Sequence, residues 1–218
     1  MIRRAKAAVD ILTKERFCLL WGRHEIPGAE SDPSAVWATL MSHFAEPHRH
    51  YHGKAHIEHC LQEFDQASSA MENPDAVEMA LWFHDVIYAA GASDNEEKSA
   101  NLFKRLARHA LEEPFANEVG SLILDTTHIQ LPTTSNAQYT VDIDLASFGR
   151  PWPEFMADCH ALRNEQTTFS HEEYYRKKCA FLNSLLARPH GFSTPLFRKR
   201  YESAARRNMA RYIELIQT

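Results

Sequence analysis

The sequence predicts an all-α fold, a single-domain bundle of helices. Three observations carry this expectation. Apolar residues recur every three or four positions along most of the chain, two-residue alternation is nearly missing, and proline and glycine fall between the periodic stretches. At 218 residues and 44% hydrophobic content, the chain can bury a sizeable core.

The elements follow in order. "SDPSAVWATLMSHF" opens with Asp32 as N-cap and Pro33 at the first helical position, then places Val36, Trp37, Leu40, Met41 and Phe44 on one face. Residues 51–71 repeat the pattern with Ile57, Cys60, Leu61, Phe64 and Met71. Over 75–88 the stripe is Val77, Ala80, Leu81, His84 and Ile87. The cleanest stripe, from Ser99 to Leu111, predicts a helix over 95–111. Further helices are expected at 115–129, 139–148, 152–164, 171–187 and 195–216. Pro47, Pro74, Gly91, Pro114, Pro132, Gly149 and Pro189 separate them. No repeat and no long linker divides the chain. The aromatic residues of the last helices, Trp152, Phe155, Tyr174, Tyr175 and Phe181, read as bundle packing, with a homodimer face as their other use.

Bulk properties narrow the function. A net charge of −5 offers no footprint for nucleic acid or an anionic membrane surface. The apolar run "FCLLW" is too short to span a bilayer. Cys18, Cys60, Cys159 and Cys179 are scattered and read as free thiols, so a cytoplasmic location is expected. Thirteen histidines are the compositional oddity, and they cluster between residues 43 and 59.

"LWFHDVIY", residues 81–88, sets a His–Asp pair inside an apolar run, where burial costs several kcal/mol unless both groups are compensated. His84 lies on the apolar stripe, and Asp85 follows about 100° around the axis, so both can reach one cation at a helix junction. In "RHYHGKAHIEH", His52 and His56 are four apart and would stack on one helical face. Extending the next stripe backwards from Ser99 lands on Asn95 and Glu96, polar residues at interior positions. Asn95 is a candidate substrate contact and Glu96 a candidate for positioning water, although capping and the helix dipole would also explain an acidic first turn. In "YTVDIDLASFG", a helix turns Asp144 inward with Val141, Leu145 and Phe148, whereas a strand would put Asp142 and Asp144 on one face. Asp144 is therefore the fourth ligand candidate and Asp142 the fallback. His128 could bond Asp125, a second metal or a phosphate oxygen. Arg49 could grip a phosphate with its fork of donors.

Together, His56, then His84–Asp85, then Asp144 resembles the HD superfamily of metal-dependent phosphohydrolases, named for its adjacent His–Asp pair. A subfamily of predicted HD phosphohydrolases is similar also in "RHYHGKAH", "WFHDVIY", "NEEKSA", "DIDLASFG" and "ARRNMARYI", so the likeness runs from about residue 32 to 216. The resemblance implies an HD-type helical bundle holding one divalent metal on His56, His84, Asp85 and Asp144. "YHGKAH" is also similar to the "YHN…H" motif of cyclic nucleotide phosphodiesterases, which implies His52 as general acid and His56 as ligand. Gly53 departs from that motif's asparagine.

The implied activity is phosphoester hydrolysis by a metal-activated water, on a nucleotide or other small phosphorylated metabolite. Two neutral imidazoles and two carboxylates become formally neutral with a divalent cation. The mixed donors favour Mn²⁺, Fe²⁺, Co²⁺, Ni²⁺ or Zn²⁺ over Mg²⁺. The rivals are an HD-fold di-iron oxygenase, for which His128 would be the extra ligand, and a non-catalytic metal- or nucleotide-binding sensor.

Overall fold

Most of the helices begin where the sequence supplies a side-chain cap or a proline. The computed structural model describes residues 11–217; the ends of the expected domain, residues 1–10 and 218, lie outside them. The described chain is all-α, and its one β-like pairing is an isolated antiparallel bridge between Glu25 and Leu111. Its helices are α1 (Lys14–Arg23), α2 (Pro33–Phe44), α3 (Lys54–Ala67), α4 (Pro74–Phe83), α5 (Asn95–Ala107), α6 (Glu113–Asp125), α7 (Ser135–Leu145), α8 (Trp152–Glu165) and α9 (His171–Leu186). A single turn, α10 (Pro195–Phe197), leads through a π-helical segment (Arg198–Glu202) into α11 (Ser203–Gln217).

Asp32 caps α2 as expected, its Oδ1 accepting the N–H groups of Ser34 and Ala35. Asn73 and Pro74 start α4 in the same way. α1 was not expected: Thr13 caps it, and its "FCLLW" stretch supplies Phe17, Leu20 and Trp21 to the core.

Two boundaries differ from the periodicity in ways that matter for chemistry. The helix expected over 51–71 begins only at Lys54, so His52 stands in the preceding turn. Gly53 is where the chain passes under α2, and a Cβ there would sit 3.3 Å from the Phe44 carbonyl oxygen. The helix expected over 75–88 ends at Phe83, so His84 and Asp85 lie on the turn that leaves it. After α4 the apolar pattern ran on because the turn through Val86 is buried too, whereas the turn before α3 is only half-buried.

α4 explains the architecture. Every residue from Ala76 to Phe83 is buried, so the helix has no solvent face and must be enclosed on all sides. It packs against α1, α3, α5, α6 and α7, and α3 also meets α7. Buried apolar side chains from Phe17 to Tyr212 join one contiguous cluster. The C-terminal end of α4, the first turn of α3 and the last turn of α7 therefore meet inside the molecule.

Candidate metal centre

Four side chains converge at that junction. His56 comes from α3, His84 and Asp85 from the turn after α4, and Asp144 from the last turn of α7. His56 Nε2 lies 3.1 Å from His84 Nε2. Asp85 Oδ2 lies 3.3 and 3.1 Å from those two nitrogens, and Asp144 Oδ1 lies 3.2 and 3.6 Å from them. Ligand atoms about 2.0–2.2 Å from a tetrahedral ion are roughly 3.3–3.6 Å apart, so one small divalent cation fits between these donors. Asp142, the fallback, is elsewhere: its carboxylate accepts the N–H groups of Ser193 and Thr194, both at 2.7 Å.

The surroundings aim the donors. His84 Nδ1–H donates to the Leu81 carbonyl at 2.9 Å, which leaves Nε2 as the lone-pair nitrogen facing the cluster when the ring is neutral. Two N–H groups cannot point at each other across 3.1 Å, so the pair of imidazoles is unstable with both inner nitrogens protonated. Burial opposes charge on every member, yet the opposite charges override it. The His84 pKa is raised by Asp85 and Asp144, and both carboxylates are held well below their usual range by the facing imidazoles. A cation bound here replaces those shared protons.

Cys60 joins the group from the sequence's blind side. One turn beyond His56, its Sγ lies 3.7 Å from His56 Nε2, and His56, Cys60, His84 and Asp144 each offer a ligand atom within 4.8 Å of the others. All four cysteines are free, as expected, but Cys60 is more than core packing. The signal was present in the i, i+4 spacing of His56 and Cys60. Asp85 nevertheless approaches both imidazoles more closely than the thiol approaches His56.

The cluster opens into a cleft of about 170 Å³ whose lining includes His52, Glu96, Thr126, His128, Phe148 and Lys178. His52 and His56 approach each other, with ring centroids 6.0 Å apart, although they do not share a helix. Sequence reasoning missed what holds His52. Glu165, at the end of α8, accepts His52 Nδ1–H at 2.6 Å through Oε2, and takes the backbone N–H groups of Tyr51 and His52 through Oε1 at 2.7 and 2.8 Å. Its side chain is fully buried. Burial would raise its pKa, but His52 and the two N–H groups hold it below the usual range. No local pattern links residues 52 and 165. Tyr88 stacks on the imidazole at 4.2 Å and fixes the ring plane.

Glu96, on the first turn of α5, lines the cleft, and burial followed by the nearby Asp85 and Asp144 charges pushes its carboxyl above the usual range. His128 adopts a left-handed backbone conformation (φ 57°) and meets Asp144 Oδ2 at 2.8 Å through Nε2. Its side chain thus supports Asp144, and only its backbone N–H bonds Asp125, at the carbonyl.

Arg49, expected to grip a phosphate, is corrected, and Asn95 carries a structural duty. The Arg49 guanidinium is spent on the protein: Nε donates to Glu46, Nη1 to the carbonyls of His52 and Asp85, and Nη2 to that of Val86. Its side chain is 0% exposed, so Arg49 ties the His52 turn to the His–Asp turn and reaches no ligand. Asn95 uses its amide on both backbone groups of Ala89, pinning the loop that follows the His–Asp pair, and it lines a second chamber beside the cleft. Compared with known proteins, the chain matches no family model, no curated protein and no solved structure. No described helix is long and apolar enough to cross a membrane.

Proposed function

We propose that this chain is a metal-dependent hydrolase of phosphoesters with an HD-type centre. The observation that carries the reading is the convergence of two imidazole nitrogens and two carboxylate oxygens within 3.1–3.6 Å, at the floor of an open cleft. His56, His84, Asp85 and Asp144 would hold the metal, which when bound supplies Lewis-acid stabilisation of charge on a phosphoryl oxygen.

The chain's own residues provide the proton chemistry. Glu165 keeps the His52 Nδ1 proton in place, so Nε2 is the nitrogen left to serve the cleft. His52 donates from Nε2 to the leaving oxygen, and Glu165 holds the ring oriented for the transfer. Glu96, desolvated beside the two aspartates, accepts a proton from the attacking water. Such a dyad supports catalysis over a sensor role, because passive metal or nucleotide binding needs no oriented proton donor.

The test is metal analysis of protein purified without chelator, followed by a screen of phosphoesters with Mn²⁺, Co²⁺, Ni²⁺ and Zn²⁺. About one metal per chain and turnover that falls steeply in His52→Ala are expected. Two irons per chain would move the assignment to a di-iron oxygenase. A protein that takes up no metal would refute the reading.

A further inference from the structure

The cleft over the metal centre is not the whole of the hollow. Leu162, Lys178 and Phe181 line both the 170 Å³ inner chamber and an outer chamber of about 360 Å³. The two are halves of one cleft with these residues at its waist. The inner half can take little more than a phosphoryl group and water, whereas the outer half reaches the lower end of the size range of small-molecule sites.

Lys178 is the unusual member of the waist. It is half-buried, and among the described residues its ammonium forms no ion pair, lying instead 5.5 and 5.9 Å from the ring centroids of Phe148 and Phe181. Asp158, a carboxylate that acts on it, is already held by Arg150. A half-buried ammonium between two rings with no carboxylate against it is short of an anion. The outer chamber is walled by the rings of Phe169, Tyr174 and Phe181. Gln166 also lines this chamber.

We propose that the cleft binds a nucleoside monophosphate, with its phosphoryl group between Lys178 and the metal centre and its base against the aromatic wall of the outer chamber. This assignment rests on the hydrolase reading and names its substrate class. Lys178 contacts the phosphoryl oxygens, and the rings of the outer chamber cover the face of the base. A bare sugar phosphate fills the waist but leaves the rings uncovered, so it binds more weakly.

Calorimetric titration of the full chain, without added metal, with adenosine 5′-monophosphate and ribose 5-phosphate tests this. Lys178→Met is expected to weaken both ligands by about tenfold to a hundredfold, the size of one hydrogen bond to a charged group. Phe169→Ala is expected to weaken the nucleotide alone. Wild-type protein that binds neither ligand, or variants that bind both like wild type, overturn the proposal. Should Lys178→Met not fold, Phe169→Ala decides, and an unchanged ratio of the two affinities overturns it. Turnover of para-nitrophenyl phosphate by metal-loaded wild type reports separately on hydrolysis. Without turnover, nucleotide binding that depends on Lys178 and Phe169 keeps this site and removes the hydrolase; turnover with indifferent variants does the reverse.

Discussion

Glu165→Gln separates the role of the His52–Glu165 pair from mere burial of a polar residue. Glu165 accepts three hydrogen bonds, two from backbone N–H groups and one from His52 Nδ1. A glutamine is nearly the same shape and can keep its single oxygen on the backbone pair. Its NH₂ then faces His52 Nδ1 and forces that nitrogen to accept, which excludes the doubly protonated ring. One charge-assisted bond is lost, so stability should fall by about 1.5–3 kcal/mol. For a chain of this length that is roughly 3–12 °C in thermal midpoint. Because the folded carboxyl titrates below its usual value, this stability is present above the unfolded carboxylate pKa and is lost as pH falls through the folded one. The gap between wild type and variant should therefore be full at pH 7 and close below about pH 4.3. Phosphoester turnover should drop by about 10²–10⁴, the usual contribution of a positioned acid. The assays are thermal unfolding across pH and initial rates with metal bound. A variant with wild-type midpoint and wild-type turnover at pH 7 would refute the reasoning.

Other substitutions test the remaining assignments. His84→Ala and Asp144→Ala should each abolish stoichiometric metal in elemental analysis, whereas Asp142→Asn should retain it and instead lose about 1–3 kcal/mol in denaturant unfolding, since an amide cannot accept both the Ser193 and Thr194 N–H groups as well. Cys60→Ala should keep about one metal per chain if Asp85 completes the set; metal loss would give the fourth position to the thiol. Arg49→Met should destabilise by roughly 3 kcal/mol or more, because three backbone carbonyls lose their donor; a variant of native stability with raised KM would restore Arg49 to the substrate. Gly149→Ala places a Cβ 2.6 Å from the Tyr201 side chain and should cost about 1–3 kcal/mol by chemical denaturation.

Sequence alone determined the all-helical class and most helix positions, and it marked His56 and the His84–Asp85 pair as candidates, because these are written in local terms. Apolar spacing marks buried faces, Asp32–Pro33 and Asn73–Pro74 mark helix starts, and a His–Asp pair in an apolar run needs compensation wherever it lies. The same local signal misjudged the start of α3 and the end of α4, and at α4 the reason is that a buried turn is as apolar as a buried helix. Tertiary structure alone decided which acid serves which purpose. Asp142 and Asp144 are two residues apart in one helix, and only the packing of α7 sends one to the Ser193–Thr194 backbone and the other to the imidazoles. Partners distant in sequence leave no periodic trace, so Glu165 on His52 and the carbonyls that absorb Arg49 were beyond reach until the chain closed on itself. What a side chain touches depends on the path of the backbone between partners, and a spacing rule carries no information about that path beyond a turn or two of helix.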